Sequence, residues 1–236
     1  LGAPAGGAGA LLGSAAILFQ VVLLLDAVHL PLDRPHVAGG LALICGALTL
    51  WAGRRHGGAA PASRHRDPAA SSPWRWQPHD AFLLPAAIGL GAIALKTIHE
   101  PLSGYDTLFR WDFLAQQLWR EGQLGFYPPV TAGDFLRFGW PDGIAPLVSI
   151  LYFWSYLSAD AIVPAMTIPI VLGQAVILFA TVGQLARREG GPAAGAVAVG
   201  VLATSSVLLW GVAMGQETGL TALALVAMFL FIQRHR

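Results

Sequence analysis

The sequence predicts an all-α, polytopic membrane protein: a transmembrane helical bundle of about six spans, with interfacial helices in one large outer loop. Three observations carry that prediction. Of 236 residues, 55% are hydrophobic and only 11% are charged, against about 25% charged in an average soluble domain. The apolar residues gather in runs close to the roughly 20 residues that a spanning helix needs. The breakers between runs, among them Pro31, Pro35, Gly215 and Gly219, fall where freed backbone groups can reach water or headgroups. Membrane lipids are therefore the expected surroundings. The composition excludes a nucleic-acid partner, a disordered acidic tail and a secreted disulfide scaffold. A net charge of +1 leaves bulk electrostatics with no partner to name. The single cysteine, Cys45, lies in an apolar run and reads as a buried core thiol.

The expected spans are 11–30, 37–53, 80–98, 161–186, 193–214 and 217–233. They divide into a unit 1–79, with two spans and a basic linker, and a unit 80–236 that contains the outer loop 99–160. Lys and Arg in short loops set orientation. Arg54, Arg55, Arg64, Arg66 and Arg75 face only Asp67 in the loop 54–79; Arg187 with Arg188, and Arg234 with Arg236, form two further clusters. Placing all three clusters in the cytoplasm makes the alternation work. The N-terminus is then inside, in a plasma (inner) membrane, and the segment 99–160 and the turn 214–218 are outside. The chain starts at Leu1 and stops just after an apolar run, so it reads as a piece of a longer protein. Further spans, rather than a small-residue cleavage site, follow the first run, which argues against a signal peptide. The apolar run 144–157 reads as a re-entrant or interfacial helix on the outer side, with a seventh span as the alternative. Its aromatics Tyr152, Phe153, Trp154 and Tyr156 suit an interface.

The outer loop is where chemistry is expected. Six of the 13 acidic residues lie between 99 and 145: Glu100, Asp106, Asp112, Glu121, Asp134 and Asp142. Arg110, Arg120 and Arg137 join them, with Tyr105, Trp111, Trp119, Tyr127 and Trp140 among the aromatics. Tyr105 to Gly122 reads as a helix. Asp106 sits near its start, where a carboxylate favours the helix dipole. Asp112, Gln116 and Arg120 share one stripe at four-residue spacing, so Asp112 can pair with a neighbouring arginine. Trp111, Leu114 and Leu118 form an apolar stripe of the kind that lies in an interface. Asp106 and Asp112 are six residues apart, about 120° around the axis, so they do not read as one carboxylate pair. Trp140-Pro141-Asp142-Gly143 is a turn signature. Asp142 is thus either a turn former or a carboxylate aimed at the mouth of a membrane cavity. Glu217, the only charge between Pro192 and Gln233, is either a hydrated turn acid or a functional one. The neighbouring Gln216 and Thr218 favour function, because a carboxylate near membrane depth faces a cavity.

Other clusters carry less. His29, Asp33 and His36 have spacing that a metal could use, but Pro31 and Pro35 interrupt any helix between them. Lys96, His99 and Glu100 gather at the end of the third span, where Lys96 can snorkel. Asp26 is a polar residue within the first span, with no role assigned by the sequence. No phosphate-binding glycine loop, nucleophile elbow or Cys/His zinc pattern occurs.

The order of these features resembles the glycosyltransferase-C superfamily. A span leads into Gly104-Tyr105-Asp106-Thr107…Trp111-Asp112-Phe113-Leu114-Ala115, then a surface helix ending in glycine, Tyr127-Pro128-Pro129, and Pro141-Asp142-Gly143-Ile144-Ala145-Pro146-Leu147. A hydrophobic helix ending in Arg187-Arg188 follows, and two spans with an acid between them. Over roughly residues 80–236 this is similar to the protein O-mannosyltransferase and lipid A aminoarabinose transferase group (family 39-like). The resemblance implies transfer of a sugar from a polyprenyl-phosphate carrier, the lipid-linked donor, to an acceptor at the outer membrane face. It implies Asp106, Asp142 and Glu217 as catalytic acids, with Asp106 as general base or metal-binding residue. Tyr105, Arg110, Asp112, Tyr127 and Arg137 would lie along the substrate. It allows a divalent cation such as Mg or Mn without specifying one, and implies no particular oligomeric state. Two departures stand out: the family's first-loop Asp-Glu pair is Asp106-Thr107 here, and two extra spans precede the loop.

An inverting transfer needs a base for the acceptor and a cation for the departing phosphate, which Arg110 or Arg137 could supply. Both could equally pair with Asp106 and Asp134. The alternative function is a transporter or flippase-like protein, in which Glu217 and Asp26 would be intramembrane relay groups; a third is a non-catalytic envelope module. Single thiols introduced at Tyr105 and Gln216, in a Cys45→Ala background, should react with an impermeant maleimide from the same side of the membrane. Labelling from opposite sides would end the idea of a shared crevice.

Overall fold

The computed structural model describes residues 3–56, 76–124 and 146–234. Among these residues every regular element is helical: α1 (Ala3–Ala27), α2 (Arg34–His56), a 3-10 turn (Pro78–Phe82) leading into α3 (Leu83–His99), a π-helical turn (Thr107–Trp111) leading into α4 (Asp112–Glu121), α5 (Leu147–Ala159), a second 3-10 turn (Pro164–Thr167), α6 (Ile168–Leu202), α7 (Ser206–Ala213) and α8 (Thr218–Arg234). The chain is an integral membrane protein of the all-α class. Gly6–Ala27, Arg34–Arg54, Pro78–His99 and Pro164–Leu202 are long and apolar enough to cross a bilayer, and α7 with α8 forms a further candidate bent by 116°.

The fourth candidate is too long to be one span. Its 39 residues would extend about 58 Å at 1.5 Å per residue, roughly twice a hydrocarbon core. The chain folds back instead at Gly191, whose φ of 78° and ψ of −173° are not helical, with Pro192 next to it. Glycine supplies this backbone at no Cβ cost. The two arms then meet: a Cβ on Gly195 would lie 2.9 Å from the Gly183 carbonyl oxygen and 3.1 Å from Cβ of Arg187. The second arm and α7 run alongside α3 in the same direction. Gly200 meets Phe82, Ala203 and Leu209 meet Gly89, and Ala213 meets Thr97. The six apolar stretches expected from the sequence thus each fall on helix, the fifth interrupted at 203–205.

The two ends of the bundle differ in chemistry. Gln233 donates to Glu189 at 2.5 Å, which places the end of α8 beside Arg187 and Arg188. α2 returns along α1, where a Cβ on Gly40 would meet Val21 at 2.7 Å, and so carries Arg54 back toward that same end. The opposite end gathers the α1–α2 turn, the segment 99–124, α5 and the turn 214–217.

Two expectations change here. The run around 147–159 is too short to be a span, and its aromatics do not lie open to an interface. α5 has 13 residues, about 20 Å at helical rise, and it is enclosed by protein: Ile150, Tyr152, Phe153 and Tyr156 are fully buried. Its rings fill the core against α1 and α4 rather than a headgroup layer, because a helix apolar on every side is stable only when covered on every side. Cys45 is exposed rather than buried, because among the described residues α2 packs mainly on α1 and turns its other face outward.

Gly195→Ala should lower stability by about 1–3 kcal/mol, the ordinary cost of overpacking, because its methyl meets a backbone oxygen that cannot step aside. Thermal unfolding in detergent checks this, with Gly46→Ala, which meets nothing within 4 Å, as the control.

Candidate functional site

The site forms where α7 ends. A helix leaves its last carbonyls without intrahelical partners, and in a membrane protein each must be satisfied locally. α7 closes with a Schellman turn: Gln216 N–H donates to Gly211 O at 3.1 Å and Gly215 N–H to Val212 O at 3.0 Å, with Gly215 left-handed at φ 74°. Side-chain hydroxyls from three other elements then cap three successive carbonyls. Thr97 of α3 donates to Ala213 O at 3.4 Å, Thr107 of the π-turn to Met214 O at 2.9 Å, and Tyr152 of α5 to Gly215 O at 2.6 Å.

This capping fastens the start of the outer loop to the turn that carries Glu217. The two backbones approach closely enough to need glycine on both sides. A Cβ on Gly104, at φ 114°, would lie 2.6 Å from Sδ of Met214, and one on Gly215 would lie 2.6 Å from Leu102. Leu102, itself buried with φ 52°, holds a strained backbone for a leucine. The helix that follows contains the π-turn at 107–111, a feature often found at functional positions. It runs to Gly122, left-handed at φ 64°, as the sequence predicts.

Asp106 and Tyr105 are exposed at the entrance of that helix; the Tyr105 ring lies 4.3 Å from Phe109. Arg110 sits one turn on, with its guanidinium 5.0 Å from the Trp111 ring. Its charge acts on Glu217, which is half-buried in the 214–217 turn. The structure therefore brings Tyr105, Asp106, Arg110 and Glu217 to one junction. Tyr127, Asp134, Arg137 and Asp142 lie outside the described residues.

Asp112 belongs to a different environment. It is 3% exposed, accepts the Tyr156 hydroxyl, and accepts Gln116 Nε2 at 2.8 Å; Gln116 in turn accepts from Arg120 at 3.0 Å. The predicted stripe exists, but it faces α5 and reaches its arginine through a glutamine. Burial pushes the Asp112 carboxyl above the ordinary carboxylate range, against the Tyr156 and Gln116 hydrogen bonds and the Arg120 charge that pull it down. Trp111 and Leu118 are likewise buried, with Leu114 partly so, and the apolar stripe packs on protein.

The remaining polar candidates have local partners. Asp26 accepts the Leu124 N–H at 2.7 Å, tying α1 to the chain leaving α4, and Leu32 N–H reinforces this on Gly122 O at 2.8 Å. Asp33 caps α2 through the His36 N–H at 3.0 Å and meets the His36 ring at 2.6 Å. Lys96 pairs with Glu100 and lies 5.8 Å from the Trp210 ring. Among the described residues no group of three or more His, Cys, Asp or Glu side chains could hold a metal ion. Within them, neither His29, Asp33 and His36 nor Asp106 with Glu217 forms such a group. The sequence pointed to neither Tyr152 nor Thr107 as a site residue; a hydroxyl seeking a distant helix end leaves no local pattern. Comparison with protein-family models, curated proteins and solved structures finds no match to the chain.

The raised Asp112 carboxyl has a signed consequence. The folded state holds the proton to higher pH than the unfolded chain, so the stability contribution of Asp112 is fully present below the ordinary carboxylate range and is lost as pH rises through the raised value. Asp112→Asn keeps an acceptor for Tyr156 and removes the charge. It should flatten the decline in melting temperature between acid and neutral pH, whereas Asp112→Leu should cost about 1–3 kcal/mol by stranding the Tyr156 hydroxyl. Melting curves across pH check both.

Proposed function

We propose that the protein is a membrane glycosyltransferase that moves a sugar from a polyprenyl-phosphate carrier to an acceptor at one membrane face. The observation that carries the reading is the junction itself. An exposed carboxylate (Asp106), an arginine (Arg110) and a half-buried carboxylate (Glu217) meet where apolar spans end, at the end of the bundle opposite Arg54, Arg187 and Arg188. That end is the outer face on this proposal, by the positive-inside rule.

The chemistry then divides among these residues. Asp106 takes the proton of the acceptor hydroxyl as its oxygen attacks the anomeric carbon. The bond from that carbon to the carrier phosphate breaks, and polyprenyl phosphate leaves with the electron pair. Arg110 offsets the charge on the departing phosphate, and Glu217 holds the guanidinium at the turn. Tyr105 and Phe109 present rings beside Asp106, where a pyranose could rest. The apolar spans surround the prenyl chain.

Asp106→Asn should reduce transfer to a polyprenyl-phosphate sugar by about 100-fold or more, the usual worth of a positioned base, with normal insertion and melting. Glu217→Gln should weaken transfer as well. Substrate movement across the bilayer without covalent change, dependent on Glu217 and indifferent to Asp106, would instead establish the transporter alternative.

A further inference from the structure

Tyr152 and Tyr156 are four residues apart on α5 and so share one face. Both are fully buried, and their hydroxyls reach different walls of the junction. Tyr156 donates to Asp112 of α4, while Tyr152 donates to Gly215 O at 2.6 Å. Gly215 carries no side chain at the place where the hydroxyl arrives; a Cβ there would lie 2.8 Å from it. The carbonyl so gripped is two residues before Glu217.

We propose that Tyr152 is a positioning residue for Glu217, with the Tyr156–Asp112 contact setting the height of α5 and hence of Tyr152. α5 is then a spacer that couples the helix carrying Arg110 to the turn carrying Glu217. This assignment rests on the reading of that junction as the functional site. It explains why a helix too short to span lies buried at this end of the bundle, and why Asp112 is buried rather than placed on a substrate. A ring alone would fill the same volume; only the hydroxyl restrains the Gly215 peptide.

The test uses the full chain in vesicles of phosphatidylethanolamine and phosphatidylglycerol, in a Cys45→Ala background. A nitroxide spin label is placed through Gln216→Cys, beside Glu217, and in a second sample through Val207→Cys on the exposed side of α7. Tyr152→Phe should raise the mobile spectral component at 216 about fivefold, the equilibrium worth of one net hydrogen bond, and leave the spectrum at 207 unchanged. An unchanged spectrum at 216, or equal changes at both positions, overturns the proposal, because a merely structural tyrosine would move both or neither. Should Tyr152→Phe fail to insert, Tyr156→Phe carries the same test through the other contact. It should give a smaller shift at 216 only, and a native spectrum there overturns the proposal. No sugar donor enters the measurement, so its failure leaves the transfer reading standing, and failed transfer leaves the spectra informative.

Discussion

The carbonyls at the end of α7 govern much of this structure. A helix that stops within a membrane protein exposes backbone acceptors that hydrocarbon cannot satisfy, and α7 stops after Ala213. Thr97, Thr107 and Tyr152 each bring one hydroxyl to Ala213, Met214 and Gly215. These donors sit on three elements that are distant in sequence from α7. Satisfying one helix terminus therefore fixes α3, the π-turn and α5 relative to the same point. Each bond is worth about 1 kcal/mol net, and the greater weight lies in the cost of leaving a buried carbonyl unpaired. The glycines at 104 and 215 follow from this demand, since the segments can close on one another only where side chains are absent.

The carboxylates of the chain sort by environment. Asp33 accepts a backbone N–H at the start of α2, and Asp26 accepts one from Leu124. Asp112 is buried and its charge is penalised. These three serve the fold. Asp106 is exposed beside aromatic rings, and Glu217 is half-buried near Arg110. A transferase needs a carboxylate that solvent and acceptor can reach, with a cation nearby for phosphate. Asp106, Arg110 and Glu217 offer such a combination where the loop entrance meets the α7–α8 turn. Asp26, tied to Leu124, is already committed to holding the chain that leaves α4, which draws the functional argument away from a relay through α1.

Helix class, the position of the apolar stretches, the helix from Tyr105 to Gly122, and the breaks at Gly122 and Gly215 were legible in the sequence. All of them depend on local physics: apolar run length, the four-residue repeat, and the left-handed backbone that glycine adopts at a helix end. The fold-back at Gly191 falls in the gap expected between spans 161–186 and 193–214, which the sequence marks by Arg187 and Arg188 rather than by the glycine. The acids worth examining were legible too, because charge is rare in this chain and each one must be accounted for. Charge count alone could not say which of them face solvent.

Tertiary structure decided the rest. Whether Tyr152 and Tyr156 face headgroups or a core depends on what covers α5, and its apolar pattern is the same in either case. The tyrosine partner of Asp112 is 44 residues away and the Leu124 partner of Asp26 is 98 residues away, separations at which side-chain spacing carries no information. The sequence by itself determined that this is a helical membrane protein with a carboxylate-rich segment between spans. Only the packed chain determined that the segment's entrance and the Glu217 turn share one junction, because that meeting is enforced by unpaired carbonyls finding donors across the fold.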